Sequence, residues 1–117
     1  MPPGTRLFLD TFFVQALLNA RDSYHESAKL LFPRVMEAEE VVVTEAVLIE
    51  IGNALSGALR RSAAAFIRRC YSAANITVIP VDTPLLTRAL ELYENRSDKA
   101  WGPALSGCYE RGCEHYG

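Results

Sequence analysis

Apolar positions gather into three short runs, Leu7-Phe8-Leu9, Val41-Val42-Val43 and Ile76-Thr77-Val78-Ile79. Each is too short for a helix and rich in branched or aromatic side chains, which predicts strands near residues 6–10, 40–43 and 76–80. Between the runs the spacing turns helical. Thr11 opens a helix through Val14, Leu17 and Leu18 that ends about Asn19-Ala20. Ser23-Tyr24-His25-Glu26 has the form of a capping box and predicts a second helix to about Glu37. Pro33 lies inside that pattern and predicts a kink or an early stop. Thr44 is placed to cap a third helix, and Gly57 to end it in a left-handed C-cap. A fourth helix is expected from Ser62 to about Ala73, with Ala64, Phe66, Ile67 and Cys70 facing inward. Asp82-Thr83-Pro84 is a helix start, followed by Leu85, Leu86, Ala89, Leu90 and Leu92 before the pattern fades at Asn95-Arg96. Strands and helices alternate, so the expected class is α/β with a parallel sheet. From Ser97 onward neither period continues.

At 117 residues the expectation is a single domain spanning 1–117. Twelve basic and fourteen acidic side chains leave a formal charge of −2, so no global positive field attracts nucleic acid, and any such binding must be local. Arg60, Arg61, Arg68 and Arg69 form the one basic cluster, open to two readings: a solvated helix face or a phosphate-contacting patch. No apolar run approaches a membrane span, and Met1-Pro2-Pro3-Gly4 lacks the charged start and apolar core of a signal peptide. The expected location is the cytoplasm, with no membrane contact. Three cysteines, an odd number, predict free thiols rather than a disulfide framework. Cys108, Cys113 and His115 offer three soft ligands, one fewer than a structural zinc site normally uses.

Two acids stand out against this background. Asp10 ends the first apolar run, and in parallel α/β sheets sites lie just beyond the carboxyl ends of the strands. Glu50 lies in Ala46-Val47-Leu48-Ile49-Glu50-Ile51, an apolar setting that predicts burial. A buried, unpaired carboxylate costs about several kcal/mol, so it needs a partner, a proton or a cation. For either acid a helix cap or a satisfied hydrogen bond is the alternative. Together they are hard oxygen ligands suited to Mg²⁺ or Mn²⁺, with Asp98, in the exposed-looking Ser97-Asp98-Lys99, as a candidate third. Such ions activate water and stabilise a phosphoryl group under attack. No nucleophile elbow and no phosphate-binding glycine loop is present, and His25 reads as a helix-surface residue.

With these residues in view, the sequence resembles the PIN-domain ribonucleases, and within them the toxins of VapBC toxin–antitoxin pairs. Leu7-Phe8-Leu9-Asp10-Thr11-Phe12-Phe13-Val14 matches the opening strand with its first metal-binding Asp, and Asn19 to Glu26 resembles the stretch after the first helix, with its aspartate and histidine. Thr44-Glu45-Ala46-Val47-Leu48-Ile49-Glu50-Ile51-Gly52-Asn53-Ala54-Leu55 is the most specific segment and puts Glu50 at the family's second acid. The likeness covers about residues 6–101 and leaves 102–117 as an atypical tail. It implies a PIN-like α/β/α sandwich with a mostly parallel sheet, dependence on Mg²⁺ or Mn²⁺, and hydrolysis of single-stranded RNA with Asp10 and Glu50 as catalytic ligands; Asp98 stands beside them as a candidate third from its position alone. It also implies homodimers and a cognate antitoxin that inserts a segment into the acidic pocket.

After Trp101-Gly102 relatives usually continue through a threonine–aspartate pair, a long apolar helix and a strand ending in another aspartate. Here Pro103-Ala104-Leu105-Ser106-Gly107-Cys108-Tyr109 takes that place. The expectation is therefore a sheet lacking its C-terminal strand or strands, and a nuclease of impaired activity. The alternative is a non-catalytic PIN-like binding module that holds an antitoxin or acts as a dimerising scaffold.

Overall fold

A computed structural model describes residues 4–95. The apolar runs become β1 (Arg6–Phe8), β2 (Glu40–Thr44) and β3 (Ile76–Ile79). Helices α1 (Thr11–Leu18) and α2 (His25–Glu37) connect β1 to β2, α3 (Glu45–Ala54) and α4 (Arg60–Ser72) connect β2 to β3, and α5 (Thr83–Asn95) follows. The sheet has the order β1-β2-β3 and is parallel throughout, with Leu7 opposite Val41 and Val41 opposite Ile76. The chain divides into two compact units, residues 1–79 and 80–117. Among the described residues the first holds the sheet and α1 to α4, and the second holds α5.

Side chains alternate across a strand, so Leu7, Leu9, Val41, Val43, Ile76 and Val78 share one face of the sheet. That face packs with Val14 of α1, with Val47, Leu48 and Ile51 of α3, and with Ala63 and Cys70 of α4. Val14, Val41, Val43 and Ile51 are completely buried, and each such side chain contributes about 1.5–3 kcal/mol by leaving water. Burial also acts on Cys70, whose thiol is pushed up to about 11 by desolvation. It stays protonated at neutral pH and is inert as a nucleophile.

The amino-terminal end of the sheet is pinned by a polar ladder across all three strands. Arg6 donates from Nε to Glu40 Oε1 at 2.7 Å and also from Nη2, while Thr77 Oγ1 donates to Glu40 Oε2 at 2.6 Å. The Thr77 hydrogen bond, with Arg6 in support and desolvation opposing, holds the Glu40 carboxyl below its usual range. Asn75 closes the same end, donating from Nδ2 to the carbonyls of Met36 and Ala38 at 3.1 and 3.2 Å.

Three local expectations are corrected. Helix α2 reaches Glu37, the end expected for it, so of the two effects expected of Pro33 the early stop does not occur. Pro33 and Lys29 are both exposed, so the carbonyl that the missing N–H leaves free is on the solvent side, and the packing of Ala28, Phe32, Val35 and Met36 outweighs a local cost of about 3 kcal/mol. The Ser23–Glu26 capping box does not form: Tyr24 is the N-cap without a side-chain bond. Asn19 and Asp22 build the preceding turn instead, Asn19 Oδ1 accepting from the Arg21 amide and Asp22 Oδ1 from the Tyr24 amide. Helix α3 ends at Ala54 with Leu55 as its C-cap, and Gly57 is not left-handed; among the described residues only Gly4 has a positive φ. Leu55 is buried in the core, which turns the chain before Gly57 is reached, and α4 starts two residues ahead of Ser62. The capped start of α5 is as expected, Asp82 Oδ1 accepting from the Leu85 amide at 2.9 Å.

Candidate functional site

At the carboxyl end of β1 the Leu9 amide still pairs with the Val42 carbonyl at 2.9 Å, and then the chain leaves the sheet. Asp10 takes extended backbone angles (φ −104°, ψ 165°) and becomes the N-cap of α1. Its Oδ1 accepts from the Phe13 amide at 2.7 Å, which satisfies one of the free donors of the first helical turn. Its Oδ2 takes no hydrogen bond among the described residues.

Glu50 reaches the same place from another element. Thr44, at the end of β2, caps α3 by accepting from the Val47 amide at 3.2 Å. The helix buries Val47, Leu48 and Ile51, so Ile49 and Glu50 lie on the other side and are exposed. The expected burial of Glu50 is thus corrected: its neighbours in sequence are apolar, but the helical period sends them inward and Glu50 outward. Thr11, adjacent to Asp10 in the chain, donates from Oγ1 to Glu50 Oε2 at 2.8 Å. That hydrogen bond joins the start of α1 to the middle of α3, two helices that pack against each other, and it brings both acids to the carboxyl end of the sheet.

Neither acid has a cationic partner among the described residues. One oxygen of each is bonded to the protein and the other is left over. Two such oxygens suit a hard cation that keeps most of its waters, as Mg²⁺ does. No group of three His, Cys, Asp or Glu side chains gathers among the described residues. Asp98 lies outside them, as do Cys108, Cys113 and His115.

Beside Asp10 a groove of about 520 Å³ runs between α1 and α2, lined by Phe12, Phe13, Tyr24 and Leu31 along with Asp22. Phe12 is 80% exposed and Tyr24 71%. His25 is not the surface residue expected: it is half-buried, with Nδ1 2.7 Å from the Ala16 carbonyl, and it fastens the start of α2 to α1. Thr11 was legible only as a helix start, and its bond to Glu50 spans 39 residues, so no local pattern announced it. Phe12 carried a signal, a large aromatic at the first turn directly after a strand-end acid.

The sequence profile of the PIN domain matches residues 7–106; the chain belongs to the PIN-domain family. Its fold is similar to the crystal structure of VapC20 from Mycobacterium tuberculosis, a toxin that cleaves the sarcin-ricin loop, with a TM-score of 0.74 and 26% identity over 91% of this chain and 82% of that one. Among curated protein sequences nothing matches. The parallel three-stranded sheet and five helices of the described residues are thus a PIN-type ribonuclease fold, as the sequence led one to expect. No helix among the described residues is long and apolar enough to cross a membrane.

Proposed function

We propose that this chain is a metal-dependent nuclease of the VapC toxin type, acting on single-stranded RNA in the cytoplasm, with Asp10 and Glu50 as ligands to Mg²⁺ or Mn²⁺ and Asp98 as a third. The observation that carries this reading is the Thr11–Glu50 hydrogen bond, which holds the second acid at the strand end where the first one caps α1. Capping fixes Asp10 Oδ1 and leaves Oδ2 for a ligand; Thr11 does the same for Glu50, fixing Oε2 and leaving Oε1. A cation bound there supplies charge stabilisation for a phosphoryl group and a more acidic attacking water. The RNA substrate is supported by the likeness to a toxin that cleaves the sarcin-ricin loop.

Residues 102–109 hold no acid, and with two or three carboxylates in place of a fuller set the cation is held weakly and the water is poorly placed, so activity is reduced. The groove beside Asp10 is suited to an antitoxin segment, and the exposed Phe12, Tyr24 and Leu31 that line it favour a homodimer, because clustered apolar surface marks interaction sites. That same groove favours the second reading, a non-catalytic binding module.

The test is cleavage of single-stranded RNA with Mn²⁺, alongside calorimetric Mn²⁺ titration. Slow cleavage lost in Asp10→Asn, together with measurable Mn²⁺ binding, is expected. Cleavage unchanged by Asp10→Asn removes that residue from the mechanism. Absence of both metal binding and cleavage selects the binding module. Cleavage no faster after residues 97–117 are replaced by a complete relative's segment overturns the claim of reduced activity.

A further inference from the structure

The acids of the site repel the phosphates of the substrate proposed above, and a chain with a formal charge of −2 has no overall field to offset this. The charge is unevenly distributed. Residues 56–75 contain four arginines and no acid, so all 14 acidic side chains lie elsewhere. This stretch is essentially α4, and it is strongly two-faced. Ala63 and Cys70 are buried, with Phe66 and Ile67 packed beside them against the core. Arg61, Ala65, Arg68 and Ser72, spaced at helical intervals, form an exposed stripe on the opposite side, flanked by Arg60 and Arg69.

None of Arg61, Arg68 and Arg69 has an acidic partner among the described residues, whereas Arg6 and Lys29 are paired with Glu40 and Glu26. Arg60 is held by its Nε bond to the Ser56 carbonyl at 2.9 Å. The helix packs against α3, whose N-terminus it also meets through the Tyr71 hydroxyl donating to Glu45 Oε2 at 3.0 Å. Glu50 is carried by that same α3. Helix α4 is therefore the neighbour of the helix that carries Glu50, and the cationic stripe lies on its solvent side. Arg61 and Arg68, seven residues apart, are separated by about 10.5 Å along the helix axis, so they reach different phosphates of one strand. Planar guanidinium groups without an acidic partner among the described residues are well matched to phosphate oxygens.

We propose that the exposed arginine face of α4 is a phosphate-backbone binding surface that holds single-stranded RNA beside the acidic site. It rests on the RNA reading above, but its test does not depend on cleavage. The surface recognises charge rather than base identity, and its contribution is salt-dependent affinity.

The experiment is fluorescence anisotropy of a labelled oligouridylate in EDTA, which prevents metal-dependent cleavage, over a range of salt concentrations. It compares the intact chain with Arg61→Gln/Arg68→Gln and with Arg34→Gln, an exposed arginine on α2 that serves as a control. For single strands each lost phosphate contact lowers the slope of log affinity against log salt by about 0.7, so the double variant should lose about 1.4, or about 25-fold in affinity at 0.1 M salt relative to 1 M. Unchanged melting by circular dichroism establishes that the variants fold, and Arg61→Lys/Arg68→Lys should restore most of the slope. An unchanged slope in a folded double variant overturns the proposal and leaves the nuclease reading standing. An equal fall in slope for Arg34→Gln also overturns it, because the effect would then be one of general charge. If the intact chain binds labelled polyglutamate through these arginines but not the RNA, the face is an acidic-protein surface and the proposal is wrong. A reduced RNA slope combined with cleavage indifferent to Asp10→Asn keeps the arginine surface and removes the proposed catalytic site.

Discussion

The two ends of the sheet both carry carboxylates, and the protein treats them in opposite ways. At the amino end Glu40 is enclosed by Arg6 and Thr77, both of its oxygens accept hydrogen bonds, and its charge is neutralised by a guanidinium. At the carboxyl end Asp10 and Glu50 each receive one hydrogen bond, from an amide and a hydroxyl that carry no charge. A neutralised carboxylate fixes the register of three strands; carboxylates that are positioned but not neutralised keep their charge for something else. The chemistry of the side chain is the same at both ends, and the difference lies in what the partners leave unsatisfied.

The sharpest way to break this comparison is to remove charge at each end without removing shape. Asp10→Asn keeps the N-cap, since asparagine caps as well as aspartate, so stability should change by less than about 1 kcal/mol, while Mn²⁺-dependent RNA cleavage should fall by at least about 100-fold. A stability loss without a cleavage loss, read by urea denaturation beside the cleavage assay, would make Asp10 a structural residue like Glu40. The opposite pattern is expected of Glu40→Ala. Removing that carboxylate takes charged hydrogen bonds from Arg6 and Thr77 and should cost about 2 kcal/mol, with cleavage per folded molecule unchanged.

A smaller effect separates positioning from charge. Thr11→Val keeps the volume of the side chain but deletes the donor to Glu50, and should lower cleavage by about tenfold and stability by about 1 kcal/mol or less. The smallest effect is in pH. Because the Glu40 carboxyl is held below its usual range in the folded protein, the unfolded chain binds its proton first as pH falls, and stability must rise with pH through that interval. The contribution is complete above the ordinary carboxylate range and is lost as pH falls through the depressed value. Denaturation of wild type and Glu40→Gln between neutral and acidic pH should show this part of the slope only in the wild type.

The strands and most of the helix starts were legible because their causes are local. A short β-branched run such as Val41-Val42-Val43, or Thr44 and Asp82 ahead of helical spacing, acts within one turn of chain. Pro33 and the Ser23–Glu26 box misled for the same reason: local rules predict local outcomes, and packing of α2 and the Asn19–Asp22 turn outweighed them. The residues of the candidate site were also readable one at a time, Asp10 from its strand end and Glu50 from its apolar surroundings, though for Glu50 the inferred burial was wrong.

What the sequence by itself determined is the list of elements, their order, the parallel α/β class and the two acids set into apolar stretches. Only the tertiary structure decided which face of α3 turns inward, that Thr11 reaches Glu50 across 39 positions, and that among the described residues Glu40 is neutralised while Asp10 and Glu50 are not. The physical reason is range. Propensity, capping and periodicity act between residues a few positions apart, whereas the satisfaction of a carboxylate depends on groups brought to it by the packing of other elements, and no spacing along the chain records that.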